Sequence, residues 1–154
     1  MNLSSFSRSV LLFSVLMCCV QPAQAQRADD IVGEWLTKKK DGKIEVYKKK
    51  GKYYGRVSWQ RVTIDPETGK EKRDKHNPDP RKRDRLLQDM DILLGCEWNP
   101  EDKRWDDCTV YNPEDGNSYN AYLELVNQNR LKLRGYVGFS LLGKSTHWRR
   151  IKSD

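Results

Sequence analysis

The chain is 154 residues long and carries 29 Lys plus Arg against 22 Asp plus Glu, a formal charge of +7 at neutral pH. This length excludes more than one ordinary domain once a leader is set aside, and the longest apolar run, 10–20, falls short of the roughly 20 residues a membrane span needs, so no transmembrane segment is expected. The basic balance suits an anionic partner, yet Lys38-Lys39-Lys40, Lys48-Lys49-Lys50 and Arg81-Lys82-Arg83 fall in predicted turns and loops, where a solvated surface is the simpler reading and no nucleic-acid partner is expected.

At the N-terminus, Arg8 precedes the apolar run, and Gln21-Pro22 with the small-x-small triplet Ala23-Gln24-Ala25 follows it. That pattern predicts a signal peptide over 1–25, cleaved after Ala25, and an exported protein, periplasmic or secreted. Cys18 and Cys19 do not make it a lipidated leader, because Met17 or Cys18 would occupy the preceding position, where a small residue is needed. Removing the leader, whose only charge is Arg8, leaves 26–154 as one domain of 129 residues with a charge of +6, large enough for a single core.

Short apolar segments separated by turn residues then run through the chain. The predicted strands are 31–37, 44–48, 53–60, 92–98, 105–111, the two arms of 118–137, and 144–151, with Asp41-Gly42 and Gly51 marking early turns. In 53–60, Tyr53, Gly55, Val57 and Trp59 share a face. Nearly all links are of hairpin length, which predicts an all-β fold: a small antiparallel up-and-down barrel of about eight strands, closed so that no edge is left exposed.

The exception is 61–91. Residues 64–69 read as a turn, and 70–75 is too charged to pack. Asn77-Pro78-Asp79-Pro80 then starts a short helix over 80–88, with Asp79 as N-cap and Pro80 at the first helical position. Leu86 and Leu87 would plug a barrel end. A connection this long in a compact domain is often functional.

Cys96 and Cys108 are the cysteines left after cleavage and flank the turn-forming stretch 98–102. Folding about Asp102 sets them opposite each other on antiparallel strands, within reach of a disulfide suited to an oxidising compartment. That reading is favoured over two buried thiols. A metal pair is not expected, since His76 and His147 lack ligand spacing, and no cofactor is predicted.

The most strongly determined stretch is 118–137. Tyr119, Ala121, Leu123 and Leu125 alternate with polar residues, as do Leu131, Leu133, Gly135 and Val137 after Asn127-Gln128-Asn129. Turning about Gln128 pairs Leu125 with Leu131, Leu123 with Leu133 and Ala121 with Gly135 inside, and Glu124 with Lys132 and Tyr122 with Arg134 outside. A slip of one residue would turn every leucine to water.

For chemistry, the five tryptophans Trp35, Trp59, Trp98, Trp105 and Trp148 fill a core or in part line a pocket, for which the small Ala121–Gly135 pair leaves room. Arg83, Asp84 and Arg85 with Asn77 and Asp79 form the best polar cluster; it is either an anion site at the barrel mouth or an Asp–Arg strut that pins the long connection. Asn112 to Asn117 resembles a calcium loop, but its ligand spacing is wrong. No nucleophile motif, Ser–His pairing or phosphate loop is present, and no enzyme is expected.

Taken together, Gly33-Glu34-Trp35, Asn77-Pro78-Asp79-Pro80, Arg83-Asp84-Arg85-Leu86, Tyr111-Asn112-Pro113-Glu114-Asp115-Gly116, Leu131-Lys132-Leu133-Arg134-Gly135-Tyr136-Val137-Gly138, Leu141-Leu142-Gly143 and Trp148-Arg149-Arg150 resemble the secreted bacterial family catalogued as domain of unknown function 2147. The family brings a compartment and no activity. Asp107-Cys108-Thr109-Val110 replaces a glycine-rich approach, so the disulfide would belong to a subgroup. A looser likeness is to lipocalin-type barrels, in which the first-strand Trp packs under a late Arg; here Trp35 and Arg149 or Arg150 would do so. The expectation is an exported barrel that binds a small ligand or short peptide in or at its mouth, with Trp35, Trp59, Asn77, Asp79, Arg83, Arg85, Tyr111, Tyr119, Arg134 and Trp148 as candidate ligand residues. The alternative is an envelope protein whose basic face meets an anionic polymer, lipid or partner protein.

Overall fold

The computed structural model describes residues 26–151; the expected leader, with Cys18 and Cys19, lies outside them. Eight strands follow in order: β1 Gly33–Leu36, β2 Gly42–Lys49, β3 Lys52–Gln60, β4 Asp91–Asn99, β5 Arg104–Asn112, β6 Asn117–Asn127, β7 Arg130–Tyr136 and β8 Lys144–Arg150. Each pairs antiparallel with the next and β8 returns to β1, so the sheet is a closed barrel, as its alternating pattern predicts.

The β6–β7 register is the predicted one: Ala121 faces Gly135, Leu123 faces Leu133, Glu124 faces Lys132 and Leu125 faces Leu131. Lys132 Nζ donates to Glu124 at 3.0 Å. On the outer face Tyr122 pairs with Arg134 as predicted, but the expected stacking of the Arg on the ring does not form. Arg134 does not cover Tyr122, because carbonyls of the following loop capture it; Arg104 lies over that ring instead, at 4.9 Å.

Trp35, Trp105, Leu93, Leu123, Leu131, Tyr53 and Trp148 fill the inside of the barrel. Three expectations change here, each for a local reason. Trp59 does not join the core: Lys43 pairs with Trp59 and Ile44 with Val57, so Ser58 is an extra residue that inverts the alternation, leaving Trp59 39% exposed beneath Lys43. The helix over 80–88 is one 3-10 turn, Pro80–Lys82, although Asp79 caps it as expected. Met90, and not Leu86, is the side chain buried beside the connection.

Cys96 and Cys108 form the expected disulfide, with Cα atoms 4.2 Å apart. The strands turn between Glu101 and Asp102, which offsets the pairing by one residue from a turn about Asp102 and sets Trp98 against Trp105 and Leu94 against Thr109. Positive φ at Gly95 and Asp107 absorbs the offset and brings both sulfurs inside.

Because strand direction alternates, the N-terminal segment and the β2–β3, β4–β5 and β6–β7 turns share one end of the barrel, while connection 61–90 and the other three loops share the opposite end. A 3-10 turn, Ala28–Ile31, plugs the first end. Trp35 Nε1 donates to the Ile31 carbonyl at 2.8 Å, Trp105 Nε1 to that of Ala28 at 3.0 Å, and Tyr53 OH to Asp29 at 2.6 Å. Only two residue pairs join β1 to β8. Arg150 completes that seam: its guanidinium lies 4.1 Å over Trp35 and donates to the carbonyls of Asp30, Val32 and Gln128.

Candidate ligand cleft

Across the β5–β6 ladder, Cys108 meets Ala121, Val110 meets Tyr119 and Tyr111 meets Ser118. Cys108 and Val110 contribute to the core, so strand alternation sends Tyr111 to the outer wall. A tyrosine there would ordinarily be half wet, yet it is only 7% exposed, because the long connection folds over it.

What that connection brings is Asp74, fully buried. Tyr111 OH donates to Asp74 Oδ1. Asn77 Nδ2 donates to Asp74 Oδ2 at 2.7 Å and to Tyr111 OH at 3.2 Å, and Arg85 approaches Oδ2 with Nε at 2.9 Å and Nη2 at 2.8 Å. The Arg85 guanidinium also lies 5.8 Å over the Tyr111 ring. Burial, reinforced by the bond to Asp74, raises the Tyr111 pKa, so the phenol stays a donor. Backbone bonds close the same loop, from Asp74 N–H to the Arg85 carbonyl at 3.0 Å and from Asn77 N–H to that of Asp74 at 2.9 Å. A buried carboxylate is tolerable only when so fully partnered.

The β5–β6 turn presses on this connection from the side. A β-carbon at Gly116, where φ is +72°, would stand 2.0 Å from the His76 carbonyl oxygen, so no side chain fits. Arg83 Nε donates to the Asn77 carbonyl at 2.8 Å. Both arginines of the predicted cluster therefore already hold protein acceptors.

Between the connection and the outer wall lies an open cleft of about 750 Å³, with Tyr111 at its floor, Leu86, Met90 and Leu94 on its apolar side and Lys82, Arg85 and Gln88 on its polar side. Arg85 Nε and Nη2 face Asp74, and Nη1 makes no bond among the described residues. Asp91 edges the cleft and accepts from Tyr47 OH at 2.9 and 3.1 Å. Burial and this carboxylate push the Tyr47 pKa up to about 12.

Of the candidate ligand residues, Asn77, Arg85 and Tyr111 line this cleft; Arg83 binds the Asn77 carbonyl behind it, and Asp79, whose N–H donates to Asn77 Oδ1, pairs with Arg81. Trp35 and Trp148 sit in the core, Trp59 lies on the outside of β3, Tyr119 OH donates to Asp115 at 2.8 Å, and Arg134 holds the β7–β8 loop. Asp74, Met90 and Leu94 are absent from the sequence reading. Asp74 lies in the charged run set aside as unable to pack; its cue is a lone acid between Arg73 and Lys75, three residues before Asn77.

Among the described residues no group of His, Cys, Asp and Glu could hold a metal ion, and no helix is long and apolar enough to cross a membrane. The fold is similar to that of protein HP1028 from Helicobacter pylori, which belongs to the lipocalin family: TM-score 0.66 and 21% identity over 79% of this chain and 82% of that one. At that identity the likeness is one of fold. No match is found among curated proteins. Residues 33–150 match the family described as an uncharacterized protein conserved in bacteria, DUF2147, and the chain belongs to that family.

Proposed function

We propose that this is an exported single-domain barrel that binds, and does not transform, a small amphipathic ligand or short peptide, and that it does so in the outer cleft over Tyr111. The carrying observation is that the cleft is lined by the apolar Leu86, Met90 and Leu94 together with the cationic Lys82 and Arg85 and the acidic Asp89 and Asp91, beside a polar centre that needs no ligand to hold its shape. The interior along Trp35, Trp105 and Trp148 is already filled with side chains, which moves the expected site from inside the barrel to its flank. A cleft that combines apolar side chains with fixed polar groups suits ligands with one charged end.

Anilinonaphthalene sulfonate combines an aromatic body with one anionic group and is the probe of choice. It should bind saturably with enhanced fluorescence. Leu94→Glu, which puts a like charge on the apolar wall, should weaken it about tenfold or more, since burying an unpartnered charge is costly, while the melting midpoint stays put because Leu94 is a surface residue. Probe affinity unchanged by Leu94→Glu would overturn the cleft as the site.

A further inference from the structure

The β7–β8 loop differs from the rest of the surface. Val137, Phe139, Leu141 and Leu142 are 70, 80, 88 and 81% exposed, whereas no other large apolar side chain among the described residues exceeds 52%. Contiguous apolar exposure of this kind marks an interaction site.

The loop also has a built shape. Arg134 on β7 reaches under it, donating from Nε to the Ser140 carbonyl at 2.7 Å, from Nη2 to that of Leu141 at 3.0 Å, and from Nη1 to Ser145 Oγ at 3.1 Å. A 3-10 turn, Ser140–Leu142, forms its tip. Gly143 packs so close to β7 that a β-carbon would stand 2.5 Å from the Gly135 carbonyl oxygen. The loop's carbonyls are thus drawn toward Arg134 while its apolar side chains face outward, and they do not collapse onto the barrel mouth.

The charge carried by this loop and its flanks is of one sign. No acidic residue occurs between Arg134 and Ser145, and Lys144 follows the loop directly. The β1–β2 loop at the same end adds Lys38, Lys39 and Lys40, with Lys39 3.7 Å from Glu114 of the β5–β6 turn. Of the carboxylates of the β1–β2 loop and the β5–β6 turn, Asp41 accepts from Thr37 and Asp115 from Tyr119.

We infer that this end of the barrel docks on an anionic lipid surface, with Phe139, Leu141 and Leu142 entering the boundary between head groups and acyl chains and Lys38, Lys40 and Lys144 facing lipid phosphates. An apolar tip with lysines at the same end of the barrel matches hydrocarbon beside phosphate, and each alone would bind weakly. A second copy of the chain is the poorer occupant, because joining two such tips would also bring two lysine rims together.

The test is co-sedimentation of the purified protein with vesicles of phosphatidylcholine, with and without phosphatidylglycerol. The protein should pellet with the anionic vesicles and release at high salt. The double variant Phe139→Ser/Leu141→Ser should lower partitioning about tenfold or more with an unchanged melting midpoint and unchanged anilinonaphthalene sulfonate binding at the cleft. Lys38→Gln/Lys40→Gln should weaken the anionic vesicles selectively. A protein that stays in the supernatant, or a loop double variant that pellets like the parent, would overturn the docking. So would sedimentation velocity without lipid showing a dimer that the loop variant dissociates.

Discussion

An arginine latches each end of the barrel, and the two latches end on different acceptors. At the plugged end Arg150 lies on Trp35 and donates to three backbone carbonyls; at the other end Arg85 lies over Tyr111 and meets the carboxylate of Asp74. Carbonyls cannot be removed by mutation and carry no net charge, so the first latch joins neutral backbone to the strands. The second gathers Asp74, Asn77 and Arg85 from a connection that supplies almost no core around Tyr111 of β5, stays 42% exposed at Arg85, and borders a cleft. One end is therefore built for closure and the other for contact.

The largest effect should come from breaking the carboxylate latch. Asp74→Ala strands Arg85, Asn77 and Tyr111 together, and the loss should be about 3 kcal/mol in urea unfolding. Near-parent stability would mean the connection is held by something other than this centre. Next, Arg150→Ala should cost about 2 kcal/mol through lost stacking and hydrogen bonds. Arg150→Lys should recover only part of it, because an ammonium cannot fork to three carbonyls; full recovery would reduce the latch to a simple charge effect.

A smaller contrast separates the two arginines of the connection. Arg85→Gln should lower stability by about 1 to 2 kcal/mol by uncovering the Asp74 charge, and Arg83→Gln, which gives up one bond to a carbonyl, should lower the melting midpoint less. An equal drop, or none at Arg85, would break the assignment of Asp74 as the acceptor that matters.

The smallest effect is one of pH. His147 on β8 stands beside Lys132 of β7, and burial, then Arg130, Lys132 and Lys38, holds its pKa below the usual histidine value. The unfolded chain takes up the proton first, so the contribution of neutral His147 is present above about pH 6.5 and is lost as pH falls through its lower folded value. Urea midpoints between about pH 7 and pH 5 should fall more steeply in the parent than in His147→Gln, and an NMR titration should place His147 below free histidine; parallel slopes would remove it as a contributor.

Wherever pattern and partner are local, the chain alone determined the outcome. Period-two alternation sets strand faces, and opposing leucines allow a single register for β6 and β7, so the hairpin, the strand number and barrel closure were legible; the likeness to lipocalin-type barrels implied Trp35 against Arg149 or Arg150, and the structure puts Arg150 there. The disulfide was legible too, although its register was not, because positive φ at Gly95 and Asp107 shifts one position within an alternation that would otherwise forbid it. Only the tertiary structure decided which way Trp59 faces, since a single extra residue at Ser58 inverts the pattern. It alone made Asp74 a buried centre: nothing between Lys70 and Lys75 looks like core, and its burial depends on Tyr111, 37 residues away, facing outward from a strand that the connection happens to cross. Burial of a polar group depends on which partners arrive, and those partners come from segments whose approach no local period encodes.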